Sequence, residues 1–339
     1  MTGVPAASLV EVAPDTWDDL LDRLGCADVY LRRDYVEVSC SLEGSARATF
    51  LHAPGERGDV VFPCVVRELP NLDVVDVTNA YGYGGPVAIG PEPPLAEFAD
   101  RYERWCADTG VVTTFLRFHP LLRNHLAAPA SFALEPVAGS ISWQLEGDLA
   151  AGMHAHHRRA VRKAVRAGVE VSARLAPDDL GPFAALYEQT MRRQGASPFY
   201  FFPPDYWQGL ASRLSDRLLL AEARLDGETV ASILCLAASP WLHYHLGGTA
   251  EAARGIGASH LLMLTAALWG QERGFEQFHL GAGVGGGGGE LLEWKRRFSP
   301  GELLEQWLGK AVHDRERYRG LTGRDDLSLD GFFPAYRRP

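Results

Sequence analysis

The sequence lacks the features of a secreted or membrane-spanning protein. No apolar run approaches the roughly 20 residues that a membrane helix needs. Asp15, Asp18 and Asp19 stand where a signal peptide would be apolar. We therefore expect a cytoplasmic protein without a transmembrane segment.

Several kinds of catalytic and metal site are also missing. The five cysteines are scattered and form no Cys-x-x-Cys pair, which argues against a disulfide framework, a zinc site and a cysteine nucleophile. No Gly-x-Ser-x-Gly elbow marks a serine nucleophile. His154, His156 and His157 lie together, but no further ligand follows at metal-site spacing and arginines adjoin them. We expect no bound metal.

The formal charge of -10 disfavours indiscriminate nucleic-acid binding, and we expect no DNA partner. One segment, residues 156–168, is nevertheless basic. In a helix its cations form one face: Arg158, Arg159, Arg162, Lys163 and Arg166. Such a face predicts a phosphate-bearing ligand such as tRNA; the alternative is a solvated helix paired with acidic residues elsewhere.

At 339 residues the chain exceeds the usual size of one hydrophobic core, so we expect two domains. In the second half, residues 218–239 read as two strands joined at Asp226-Gly227, a dipeptide suited to a hairpin turn. A third strand, a helix over 258–273 with Gly274 as its cap, and a strand from Phe275 follow. The first half repeats this order more loosely, and its helix is expected to end at Gly110.

This order of elements resembles the GNAT acyltransferase core. We expect an α/β (α+β) fold of two tandem GNAT-like domains, each a mixed, mostly antiparallel sheet flanked by helices. The expected domains cover residues 1–150 and 151–304, the second beginning with the basic helix. The last segment, residues 314–339, is too charged for a core, and residues 305–339 are expected to return to the first domain.

A more specific resemblance rests on several motifs in one order. They are Tyr81-Gly82-Tyr83-Gly84-Gly85-Pro86, Arg117-Phe118-His119-Pro120, the basic helix ending in Ala167-Gly168-Val169, Leu280-Gly281-Ala282-Gly283 and Trp294-Lys295-Arg296-Arg297-Phe298. Together they resemble the FemABX-type aminoacyl and peptidyl transferases and their acyl-CoA-using relatives. The resemblance implies amide-bond formation without a metal, a permanently bound cofactor or a covalent enzyme intermediate.

Within this resemblance Lys295 takes the role of the cation that faces the reacting carbonyl oxygen, and Trp294 that of its aromatic neighbour. A glycine tract, Gly285 to Gly289, precedes them and predicts a sharp bend or a close approach to a ligand. The alternative is a loop tip followed by a solvated lysine. The lysine that grips a sugar-nucleotide pyrophosphate in cell-wall members has no clear match near Arg32 and Arg33, which puts a peptidoglycan-precursor acceptor in doubt.

Candidate substrate contacts are Arg193, Tyr200, Tyr206, Tyr83, His245 and His279. The aromatic residues among them could equally belong to a core. His243 and His245 share one face of a strand, which fits either a site lining or a structural pair. No residue is marked as the general base.

The donor is the open question. Single-domain GNAT enzymes hold the CoA pyrophosphate at a helix N-terminus with an R/QxxGxG/A loop. Here Gly255 and Gly257 are present but Ala252 replaces the Arg or Gln. Because this loop is degenerate and the basic face is strong, we favour aminoacyl-tRNA as donor and an amine of a peptide or natural-product intermediate as acceptor. The alternatives are an acyl-CoA acting on an amino sugar or other small amine, and a non-catalytic binding module. We expect a monomer.

Overall fold

Each half of the chain folds around a mostly antiparallel sheet. The computed structural model describes residues 9–70, 72–283 and 288–338. One unit comprises Met1–Cys26, Tyr30–Val137 and Glu305–Pro339, and the other comprises Ala27–Val29 and Ala138–Leu304. The boundary expected at residue 150 thus falls inside the second unit, whereas the C-terminal segment is grouped with the first unit.

The first unit contains the N-terminal elements and the C-terminal segment. Its strands are β1 (Val10–Glu11), β2 (Ala46–Pro54), β3 (Arg57–Glu68), β4 (Val75–Thr78), β5 (Val87–Glu92), β6 (Val111–Arg117) and β13 (Leu304–Val312). Its helices are α1 (Trp17–Arg23), α2 (Arg33–Cys40), α3 (Leu95–Thr109) and α10 (Arg315–Thr322). The strand order is β1-β2-β3-β4-β6-β13, with β5 also paired to β3.

The second unit carries the remaining elements. Its strands are β7 (Ala133–Gln144, from residue 138 onward), β8 (Glu170–Leu175), β9 (Leu218–Leu225), β10 (Glu228–Ala238), β11 (Trp241–Thr249) and β12 (Gln277–Gly281). Its helices are α4 (Leu149–Gly152), α5 (Ala155–Arg166), α6 (Gly181–Arg193), α7 (Pro204–Leu214), α8 (Ala258–Glu272) and α9 (Glu290–Arg296). The strand order is β7-β12-β11-β10-β9-β8.

The two units repeat one topology. In the first, β2, β3 and β4 form an antiparallel meander, α3 follows, and β6 pairs parallel to β4. In the second, β9, β10 and β11 form the meander, α8 follows, and β12 pairs parallel to β11. The predicted mixed, mostly antiparallel fold of two GNAT-like domains is confirmed.

The local signals that predicted these elements have clear physical counterparts. Asp226 and Gly227 adopt positive φ angles of 52° and 84° between β9 and β10, as a tight hairpin requires. Gly110 and Gly274, at φ 74° and 76°, follow α3 and α8 and allow the left-handed turn that ends each helix. The hairpin and both helix ends were therefore predictable from short sequence patterns.

Apolar side chains from both sheets form separate cores. The second unit packs α5, α8 and α9 against its sheet through buried residues such as Ala164, Met263 and Leu292. In the C-terminal segment Tyr318 and Phe333 are buried in a smaller cluster of the first unit. The expectation that this segment is too charged to contribute to a core was wrong, because its few aromatic residues are directed inward. Among the described residues no helix combines the length and apolar character needed to span a membrane.

Candidate functional site

A cavity of about 950 Å³ opens in the second unit. Its wall is built from α5, the C-terminal end of α6, parts of β10 and β11, the loop before α8, the first two turns of α8, and Leu291 and Trp294 on α9. The lining mixes cations, such as Arg159 and Lys163, with apolar side chains such as Ile233 and Met263. A cavity with this lining can hold a ligand that is anionic at one end and apolar at the other.

The N-terminus of α8 forms one side of this cavity. Gly255 and Gly257, which precede the helix, both line the cavity and have φ angles of 74° and 89°. A Cβ on Gly257 would lie 2.3 Å from the carbonyl oxygen of Ala160 on α5, so only glycine allows the two backbones to approach this closely. The positive end of the 15-residue helix α8 therefore faces the cavity beside the basic helix, an arrangement that favours phosphate.

The five predicted cations of α5 do not all face the cavity. Arg159 and Lys163 line the cavity. Arg158 is instead turned back onto the chain, where its guanidinium donates to the carbonyl oxygens of Ala151 (2.9 Å) and Met153. Arg162 and Arg166 are exposed and do not line the cavity. The helix thus presents two of its cations to the cavity, and one serves to fix the preceding turn.

Lys295 is buried, with 5% of its surface exposed. Its Nζ donates a hydrogen bond of 2.7 Å to the carbonyl oxygen of Ala282 and lies 5.0 Å from the centroid of the Tyr244 ring. Burial lowers the pKa of Lys295 to about 7. Lys295 does not itself line the cavity, whereas Tyr244 does. A solvated surface lysine is therefore excluded, and the amino group lies over the ring of a residue that lines the cavity.

Part of the glycine tract before Lys295 lies outside the described residues, since the description stops at residue 283 and resumes at 288. Gly289 is described, with φ 108°, and immediately precedes α9. Glycine suits this position because other residues rarely adopt such an angle. The prediction that Gly285 to Gly287 approach a ligand concerns residues about which nothing is described.

Trp294 is held by two histidines from neighbouring helices. Its indole Nε1 donates to Nε2 of His260 at 3.0 Å. Its carbonyl oxygen accepts from Nε2 of His157 at 2.9 Å. Burial is the main cause that lowers the pKa of each of these histidines to about 4, so both are neutral at pH 7. The residue next to Lys295 is therefore fixed through its backbone and its side chain.

The candidate substrate contacts lie in different environments. Arg193 lines the cavity and donates to the carbonyl oxygen of Thr249 at 2.7 Å. Tyr200 stands outside the cavity wall. Tyr206 is completely buried, and its hydroxyl is hydrogen-bonded to Nε2 of His245 at 2.7 Å. Of these four predicted contacts, the structure brings only Arg193 to the cavity.

His279 belongs to a buried polar chain rather than to the cavity wall. His279 Nε2 lies 2.9 Å from Oγ of Ser140, and its Nδ1 lies 3.4 Å from Nδ1 of His243. Nε2 of His243 lies 2.8 Å from the carboxylate of Asp28. All four side chains are nearly inaccessible to solvent. The buried position of His243 thus fits the interpretation of a structural residue rather than a site lining. Its partners, however, are His279 and Asp28 and not His245.

Tyr83 lies in the first unit and does not line the cavity of the second. Its ring packs edge-on against Tyr30, with centroids 5.3 Å apart, and burial raises its pKa to about 12. The structure thus places Tyr83 in a buried aromatic cluster, and its contact with substrate stays a prediction.

Three cavity residues were missed by sequence reasoning. Tyr244 and Gly247 were not predicted as site residues, and His260 was overlooked inside an apolar helix. A Cβ on Gly247 would lie 2.3 Å from the Tyr244 hydroxyl, so this glycine makes room for the tyrosine. Alternation along β11 could have placed Tyr244 on the face opposite to His243 and His245. No pattern in the sequence linked His260 to α5.

Comparison with known proteins places this site within a recognised domain. Residues 151–296 match the family model described as acetyltransferase (GNAT) domain, a range that contains every residue lining the cavity. No curated protein matches the sequence.

Solved structures extend the likeness to both units. FemX aligns over 94% of this chain and 100% of its own, with a TM-score of 0.66 and 12% identity. L-PGS from Bacillus licheniformis aligns over 91% and 94%, with a TM-score of 0.58 and 14% identity. A tandem GNAT protein from the clavulanic acid biosynthesis pathway aligns over 91% and 99%, with a TM-score of 0.53 and 12% identity. The predicted resemblance is thus confirmed for the fold: this chain has a FemX-like tandem GNAT fold, and its residues 151–296 match the acetyltransferase (GNAT) domain model.

Proposed function

We propose that this protein is an aminoacyltransferase that moves an amino acid from aminoacyl-tRNA to an amine of a peptide or natural-product intermediate. One observation carries the proposal. A single cavity combines two cations of α5 and the positive end of α8 with the wall residue Tyr244, whose ring contacts the buried Lys295. The FemX-like fold supports acyl transfer as the reaction class.

The reaction needs no group beyond the two substrates. The amine nitrogen attacks the ester carbonyl carbon, a C–N bond forms, and the C–O bond to the terminal ribose of the tRNA breaks. The amine loses a proton and the ribose oxygen gains one, so the products are an amide and free tRNA. The protein has to align the substrates and stabilise the negative carbonyl oxygen of the tetrahedral intermediate.

Lys295 is proposed to stabilise that oxygen. Its amino group has more donors than the one hydrogen bond to Ala282 uses, so further N–H groups remain for a ligand. With a pKa of about 7 the group is close to balanced between its two forms, and a nearby negative oxygen favours the charged one. In a buried site such stabilisation typically contributes about 3–4 kcal/mol to the transition state.

The tRNA 3′ end is proposed to enter between α5 and α8. Arg159 and Lys163 would neutralise phosphates, while the first turn of α8 offers backbone N–H groups. Arg193 also lines the cavity, next to Thr249, and is proposed to orient the acceptor.

Acyl-CoA is the second candidate donor, with an amino sugar or other small amine as acceptor. It is favoured by the acetyltransferase (GNAT) match, which spans the cavity, and by the apolar wall formed by Ile233, Leu262 and Met263. A pantetheine arm would fit such a wall. The absence of Arg or Gln at Ala252 weighs against this donor.

A transfer assay separates the candidates. The purified protein is incubated with a mixture of charged tRNAs or with acyl-CoA, together with candidate amines, and amide products are detected by mass spectrometry. We expect a product that requires charged tRNA and disappears after RNase treatment. A product that survives RNase and requires the thioester would replace the proposal by the acyl-CoA reaction.

Two variants on α9 test the role of Lys295. Lys295→Met should abolish transfer, whereas Arg296→Met, which removes an exposed cation from the neighbouring position, should leave it intact. Transfer by folded Lys295→Met at the wild-type rate would remove the lysine from the mechanism. Absence of transfer with every donor, although charged tRNA binds, would favour a binding module.

A further inference from the structure

Three imidazoles converge on one side of the cavity. His156 and His157 come from α5 and His260 comes from α8. The ring centroids of His157 and His260 are 4.4 Å apart, and His156 lies 5.8 and 6.2 Å from them. One ring nitrogen from each histidine lies within 4.8 Å of the others. His156 and His260 also line the cavity.

The protonation of His157 is fixed by its backbone contact. Because the carbonyl oxygen of Trp294 can only accept, Nε2 of His157 must donate the hydrogen bond between them. In the neutral ring Nδ1 is then a lone-pair nitrogen. This Nδ1 is inaccessible to solvent and has no hydrogen-bond partner among the described residues. A buried lone pair without a partner needs an explanation, and an ion is one of the few that apply.

His260 presents a second buried ring nitrogen, Nδ1, without a partner among the described residues. Nε2 of the same ring accepts from the indole of Trp294. Unlike His157, this ring therefore carries its proton on Nδ1 until a ligand displaces it.

We propose that His156, His157 and His260 together bind one divalent transition-metal ion of the Zn²⁺, Ni²⁺ or Cu²⁺ class. Three imidazole nitrogens are a donor set that these metals accept, and a fourth position of a tetrahedral ion stays available for water or a ligand in the cavity. In a tetrahedral site, Zn–N distances of about 2.1 Å place the ligating nitrogens about 3.4 Å apart, so the cluster has to contract. The exposed side chain of His156 can supply this movement.

The hydrogen bond from His157 to the Trp294 carbonyl fits the usual second shell of a metal site. A histidine ligand commonly donates its other ring N–H to a carbonyl oxygen, which fixes the ring and its tautomer. Since His157 and His260 are neutral at pH 7, neither imidazole has to be deprotonated from the imidazolium form before the ion binds.

The imidazole donors and the surrounding cations together set the selectivity. Arg159 and Lys163 line the same cavity and repel any cation, so weakly held hard ions such as Mg²⁺ and Ca²⁺ are excluded. The metals with strong affinity for imidazole remain. Sequence reasoning grouped His154 with His156 and His157; the side chain of His154 instead caps α5 by accepting from the His156 N–H, and His260 completes the set.

Metal binding has a consequence for Trp294. When His260 ligates through Nδ1, its proton moves to Nε2, which then can no longer accept from the indole. Metal loading therefore breaks the Trp294–His260 hydrogen bond next to Lys295. This coupling gives the site a signature that does not depend on catalysis.

The test uses the purified full chain and metal ions alone. Equilibrium dialysis with Zn²⁺ should give one bound ion per chain, and Co²⁺ should develop the visible absorption of a tetrahedral site. In ¹H–¹⁵N spectra the indole N–H signal of Trp294, assigned with Trp294→Phe, should shift on addition of Zn²⁺. His156→Ala, at an exposed position, should weaken Zn²⁺ binding by about tenfold or more.

Further variants keep the proposal falsifiable. His260→Gln removes a ligand but retains an acceptor for the indole, and it should also weaken Zn²⁺ binding by about tenfold or more. His154→Asn retains the helix cap and should leave binding unchanged. The proposal is overturned if the wild type binds no Zn²⁺, if His154→Asn weakens binding as much as His156→Ala, or if Zn²⁺ binds without altering the Trp294 signal.

Discussion

Replacing Lys295 by methionine should make the protein more stable while it removes activity. The amino group is buried without a carboxylate among the partners described for it, and desolvation is the cause of its lowered pKa. Methionine is similar in length and carries no charge. The substitution should therefore raise the free energy of unfolding near neutral pH, whereas most substitutions lower it.

The magnitude follows from the pKa of the lysine. The pKa of Lys295 is about 7 in the folded protein and 10.5 ordinarily. This difference means that burying the charged amino group costs about 5 kcal/mol of folding free energy. The substitution also removes the hydrogen bond to Ala282 and leaves that carbonyl without this partner, at a cost of about 1–3 kcal/mol. The expected net gain at pH 6 is about 3 kcal/mol.

The pH dependence has a definite sign. Between pH 7 and 10.5 the unfolded lysine holds a proton that the folded one has released, so wild-type stability rises with pH relative to the variant. The advantage of Lys295→Met should shrink by about 1.4 kcal/mol per pH unit in this window and be constant below it. Urea unfolding of both proteins at pH 6, 7, 8 and 9, followed by tryptophan fluorescence, measures this difference.

Arg296→Met provides the matched control, because it removes an exposed cation from the same helix. Its stability relative to wild type should not change with pH across this range. If the advantage of Lys295→Met were the same at pH 6 and pH 9, the lysine would carry no perturbed proton equilibrium in the folded protein. The argument for a buried, uncompensated amine would then fail.

Three further substitutions test other parts of the site. Gly257→Ala should lower the free energy of unfolding in urea by about 1–3 kcal/mol, since it forces a side chain into a positive φ angle and against the backbone of α5. Arg159→Ala should weaken tRNA binding and reduce the slope of log affinity against log salt by about 0.7–0.9, while Arg162→Ala, outside the cavity, should have a smaller effect in the same filter-binding assay. Tyr206→Phe should cost about 1–2 kcal/mol of stability through the lost hydrogen bond to His245 and leave transfer unchanged; lost transfer at unaltered stability would return Tyr206 to the acceptor site.

Local patterns predicted most of the fold. The Asp226-Gly227 hairpin, the glycines that end α3 and α8, and the order of meander, helix and strand are all confirmed. These features depend on backbone angles and on periodicity over a few residues, which the sequence states directly. Even the place of Gly255 and Gly257 before a helix was predictable, because positive φ angles select glycine.

The site was only partly predictable, because its side chains are brought together by packing between distant elements. Sequence position placed Tyr206 among acceptor contacts, but the fold turns it inward to meet His245. The basic helix was correctly placed, yet Arg158 donates to a backbone carbonyl of the preceding turn instead of facing the cavity. No local signal shows which way a side chain on a buried strand or helix will point once a second layer covers it.

Residue types and their spacing by themselves determined the tandem GNAT-like architecture, since turns, caps and periodicity operate within short stretches of chain. The tertiary structure alone decided that Lys295 is desolvated and that His157 and His260 meet at Trp294. The physical reason is that pKa values and shared hydrogen bonds depend on which distant groups exclude water from a side chain, and no stretch of sequence contains that information.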